Sequence, residues 1–120
     1  MATTELNQSI PVLNVVPDLP ITKDATTSRV LVNNPLLRVV DFAFDEGQLL
    51  TRHSSPRAVV VTLLTGTMDF DLDDQTHQLS PGDVLYMAPG APHALRATSR
   101  CHMQLVMVDV DGQQGQRSEP

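Results

Sequence analysis

A chain of 120 residues has room for one domain, and size scaling gives burial of roughly two-thirds of its unfolded surface, enough for a real core. Fourteen acidic residues against eight basic ones give a net charge of -6, which repels phosphate backbones and anionic bilayers and argues against nucleic acid or membranes as direct partners. The lone Cys101 can form no intrachain disulfide, Met1 to Glu5 has no signal-like character, and the longest near-apolar run, Ala58 to Leu64, is too short to span a bilayer; a soluble cytoplasmic protein is the expectation.

Residues 1–28 carry Pro11, Pro17 and Pro20 among Thr and Asp, which breaks any long element, so an extended N-terminal arm is predicted there. Its apolar stretch from Ile10 to Ile21 would be wet unless it lay over a sheet. From residue 29 the pattern is strand, turn, strand. Short runs rich in Val, Leu and Thr at 29–32, 36–44, 48–53, 57–64, 67–72, 75–79, 83–87, 94–97 and 101–108 are separated by Gly, Pro, Asn and Asp. No window of helical length shows the i, i+3, i+4 apolar repeat. The prediction is therefore all-β, a sandwich or barrel spanning residues 29–110, followed by a disordered tail at 111–120. Alternation points Met68, Phe70 and Leu72 inward and Asp69 and Asp71 outward. In the last strand it points Cys101, Met103, Leu105 and Met107 inward, leaving His102 and Gln104 on the other face, with His102 expected to be exposed.

Two stretches then stand out. One runs Gly47, five residues, His53-Ser54-Ser55, three residues, Val59, six residues, Gly66; the other runs Gly82, five residues, Ala88-Pro89-Gly90, two residues, His93. Their glycine spacing and the Pro-Gly-x-x-His ending resemble the paired motifs of the cupin family, across about residues 36–108. The resemblance implies an RmlC-like double-stranded β-helix, a jelly-roll barrel, and a divalent metal held by three His and one Glu. Of those four ligand positions only His53 and His93 are kept; Ser55 and Val59 replace the second His and the Glu, and Ala88 and Ala97 replace a Pro and an Asn of the pattern.

Two imidazoles fall short of the three protein ligands that a catalytic metal site keeps. A third donor would come from outside the motifs. His77, which shares parity with inward Leu79, is the first candidate and Cys101 the second. Residues 53, 55, 57 and 59 share parity, so a regular strand would aim all four into the barrel. Arg57 could then grip an anionic ligand with its planar fork, or instead snorkel to the rim where Pro56 distorts the strand. Tyr86 could add a pocket hydroxyl. The Asp69 to Asp74 run lacks the glycine and the terminal Glu of a calcium loop and reads as a wet strand face and a turn.

Three functions follow. The first is a small-molecule-binding or sensing domain without a complete metal site, its ligand contacted by His53, Ser55, Arg57, Val59, Tyr86 and His93. The second is a metal-dependent dioxygenase or isomerase of the cupin type, using Fe, Mn, Ni or Zn on His53, His93 and His77. The third is a metal-free isomerase with a histidine base, which requires a carboxylate partner for the imidazole. A homodimer is expected, because the apolar arm and the Val60, Thr62 and Leu64 face offer surface to bury.

Overall fold

The structure, a computed structural model, describes residues 3–109; the tail expected at 111–120 lies outside them. Nine strands carry the chain: β1 (Thr26–Asn33), β2 (Leu37–Phe44), β3 (Leu49–His53), β4 (Ala58–Thr65), β5 (Met68–Leu72), β6 (Gln75–Leu79), β7 (Val84–Met87), β8 (His93–Ala97) and β9 (Cys101–Val108). They make two antiparallel sheets, one ordered β1-β2-β9-β4-β7 and the other β3-β8-β5-β6. The fold is all-β, as the strand pattern predicts, and the jelly roll that the resemblance implies.

Alternation decides what each sheet buries. In β5, Met68 and Phe70 are buried, while Asp69 faces out to Arg96 at 3.7 Å and Asp71 accepts a hydrogen bond from the Thr76 hydroxyl at 2.6 Å. From the five-stranded sheet, Phe44, Val59, Val61, Leu63, Met87, Cys101 and Met103 meet them in one core. The core is mostly aliphatic and sulfur-bearing, as a composition with three Phe and no Trp requires.

Turns close the strands where their chemistry allows. The side-chain oxygen of Asn34 accepts from the amides of Leu36 and Leu37, which fastens the β1–β2 hairpin ahead of Pro35. Gly66, between β4 and β5, has φ +74°, and a Cβ there would collide with the Arg100 carbonyl and with Cys101. Only glycine fits that close approach.

Strand pairing also defines the ends of the barrel. Ala58 lies opposite Val108, and Val59 opposite Met87, so residues 54–57 and 88–92 emerge side by side at one end. There the Gly90 amide donates to the Ser55 carbonyl at 2.7 Å. Gly66 and Cys101 mark the opposite end.

The N-terminal segment lies against the outer face of the five-stranded sheet. Thr4 exchanges two hydrogen bonds with Asn33, and Asp18 pairs with Arg29 at 3.9 Å. Buried Leu19 offers its carbonyl to His102 Nε2 at 2.7 Å, and the Thr65 hydroxyl donates to Nδ1 of the same ring at 2.8 Å. His102 is therefore on the predicted face but is not exposed: the arm covers it, leaving 6% of it accessible. The arm is also shorter than predicted, since β1 begins at Thr26 rather than after residue 28.

Candidate functional site

His53 ends β3 and His93 begins β8, and the two are cross-strand partners on the inner face of the four-stranded sheet. A bulge makes this possible. Between Leu50 and His53, β3 holds one more residue than β8 holds between Leu95 and His93, so Leu50 and His53 both face inward. The ring centroids stand 4.2 Å apart with planes tilted by 59°. Phe70 lies nearly parallel to His93 at 6.0 Å, and Leu72, opposite His93 in the register, continues the apolar wall.

Both rings are oriented in the same way. His53 Nδ1 donates to the Thr51 carbonyl at 2.9 Å and His93 Nδ1 to the Ala91 carbonyl at 3.0 Å. A carbonyl only accepts, so Nδ1 carries the proton and, in the neutral ring, Nε2 keeps its lone pair. Burial holds the His93 pKa below its ordinary value, with the charges of His53 and Arg52 adding to that and the Ala91 bond opposing it. His93 is thus a neutral acceptor at physiological pH. His53 is exposed to solvent at the barrel end.

The other predicted positions separate. Regular parity fails after His53, because residues 54–57 leave the strand around Pro56. The Ser55 hydroxyl accepts from the Arg57 amide at 3.2 Å and shapes that turn. Val59 is 3% exposed and belongs to the core, and its side chain has no donor atom to offer a metal. Tyr86 pairs with Val60 on the outer face of the five-stranded sheet and is 61% exposed, so it is not a pocket hydroxyl. Its neighbours Leu85 and Met87 take the inward positions of β7.

His77 has the predicted parity, opposite Phe70, but β6 is the edge strand of its sheet and the imidazole is exposed. Cys101 does point inward, but at the far end of the barrel from the histidine pair, so it does not join that pair, and burial pushes its thiol up to about 11. Among the described residues no three His, Cys, Asp or Glu side chains gather as a metal group. The donor set present does not fit the resident metal that the motifs imply, and no chemical step is assigned to one. The imidazole–carboxylate pair of a metal-free isomerase is likewise not formed, since both Nδ1 atoms go to backbone carbonyls.

Sequence reasoning missed two charged positions, one half-buried and one buried. Arg38 lies on the inner face of β2, and its parity with Phe42 and Phe44 was the available clue. Asp41 is 1% exposed on the outer face, between Arg29 and Gln104 in the register. Burial raises its pKa, while a hydrogen bond from Gln104 and the nearby charges of His102 and Arg29 oppose that rise.

The family profile of the cupin domain matches residues 40–109, more than half of the chain. The chain belongs to the cupin family. Among solved structures, this cupin is similar to a conserved Streptococcus pyogenes protein of unknown function, at 34% identity, TM-score 0.78 and coverage of 91% of this chain and 96% of that one. A cupin superfamily protein from Desulfitobacterium hafniense shares 20% identity at TM-score 0.76, covering 90% of this chain and 98% of that one. Salicylate 1,2-dioxygenase from Pseudoaminobacter salicylatoxidans is similar in fold at 17% identity and TM-score 0.67, covering 77% of this chain and 29% of that one. Among the curated proteins none matches. In the described part of this cupin, no helix is long and apolar enough to cross a membrane.

Proposed function

We propose that this cupin is a small-molecule-binding or sensing domain that works without a complete catalytic metal site. The observation that carries this reading is the pair of imidazoles held 4.2 Å apart by backbone carbonyls, each leaving Nε2 as an acceptor beside the apolar wall of Phe70 and Leu72. Acceptors set in an apolar surface suit a ligand with hydroxyl or N–H donors on a hydrophobic body. Ser55 and Val59 support the same reading, because the positions that would complete a metal shell are given over to a turn and to the core.

The test is NMR titration of the full chain with phenol, catechol and glucose at millimolar concentration, following the ring resonances of His53 and His93. Saturable shifts of both rings with at least one probe are expected, and they should disappear in His53→Ala. If none of the probes moves either ring, the histidine pair is not a ligand site and the reading fails.

A further inference from the structure

A cavity of about 520 Å³ lies where the N-terminal residues Thr3 to Asn7 approach the β1–β2 hairpin, with Arg38, Arg57 and Met107 among its lining. Neither His53 nor His93 contributes to it. Its two arginines differ from the others on the described chain. Arg29, Arg96 and Arg100 each pair with an aspartate, and Arg52 donates to the Asp73 carbonyl. No ion pair joins Arg38 or Arg57 to a carboxylate among the described residues. Arg38 Nε is, in addition, buried with no hydrogen-bond acceptor.

In a chain with fourteen acidic residues, a carboxylate partner for either arginine would be easy to supply. A buried guanidinium N–H without an acceptor, as at Arg38, is costly and calls for an explanation, and Arg57, which has no ion pair either, lines the same cavity. Guanidinium forks match the planar or tetrahedral oxygens of a carboxylate or a phosphate. Glu5 and Asp109 also line the cavity, and their charge limits it to one oxyanion head rather than a polyanion.

We propose that this cavity binds one small molecule through a single oxyanion group, carboxylate or phosphate, held between Arg38 and Arg57. The site stands apart from the histidine pair, so its failure would leave the proposed function untouched.

Titration calorimetry of the full chain at low ionic strength, with inorganic phosphate and separately with acetate, tests it. Saturable binding of at least one anion is expected, and the anion preferred identifies the head group. Arg38→Gln and Arg57→Gln should each weaken that binding by about tenfold or more. Arg96→Gln, which removes an exposed pair on the other sheet, should leave it unchanged. Arg57 lies in a loop, so its variant is expected to fold even if Arg38→Gln does not, and circular dichroism checks both. If neither anion binds saturably, or if Arg57→Gln binds as tightly as the parent, the proposal is overturned.

Discussion

Burial treats the two buried histidines differently, and their partners explain why. His102 has both ring nitrogens engaged, by the Leu19 carbonyl and the Thr65 hydroxyl, and serves as a structural bridge. His93 has one nitrogen engaged, and its pKa is depressed by burial. Near pH 6.5 the unfolded chain takes up a proton at His93 that the folded protein resists, so the unfolded state binds more protons there. Stability from this group is therefore full above that pH and falls as the medium becomes more acidic. Melting temperature measured from pH 7.5 down to 5 should decline less steeply in His93→Gln than in the parent; identical slopes would show that His93 titrates as in an unfolded chain. His53 and His93 were singled out by the resemblance of their stretches to the cupin motifs. Their tautomers were not legible, because the Thr51 and Ala91 carbonyls that fix them become neighbours only through the bulge in β3 and the turn before β8.

Strand alternation located nearly every element, because a half-buried sheet with period two leaves its mark on sequence. It failed where a strand stops or reaches an edge. Residues 54–57 leave β3, so Ser55 and Arg57 do not follow His53 inward, and β6 has no outer neighbour to cover His77. It could not see the N-terminal arm as a lid on β9, since that contact joins Leu19 to His102 across 83 positions of sequence. His102→Ala should cost about 1–3 kcal/mol, leaving the Leu19 carbonyl and the Thr65 hydroxyl without their partner. Limited proteolysis should then cut faster within residues 10–24, and a cleavage rate equal to the parent's would show that the arm is held by other contacts.

The two sheets create one core and carry both proposed sites at the same end: the imidazole pair on the four-stranded sheet, and the Arg38 cavity at the start of β2. The outer face of the five-stranded sheet is different, with Val84 and Tyr86 exposed beside Val60 and Thr62. Monomers rarely leave such edges bare, and we expect a second copy to cover this one. Light scattering should give twice the chain mass of 13.1 kDa, reduced to the monomer by Tyr86→Asp; a monomeric parent at micromolar concentration would remove the expectation.

The cupin fold was legible from the resemblance of the motifs, in which glycine spacing, the Pro89-Gly90-x-x-His93 ending and an all-β pattern act together; a close approach such as Gly66 against Arg100 tolerates no substitute. Function was less legible, because it depends on which side chains converge rather than on which are present. The most direct test of a barrel without a complete metal shell is calorimetric titration of chelator-treated protein with Zn(II), Ni(II), Mn(II) and Fe(II), the last without oxygen. No tight one-to-one site is expected for any of the four. One-to-one binding at submicromolar affinity that is lost in both His53→Ala and His93→Ala would contradict it.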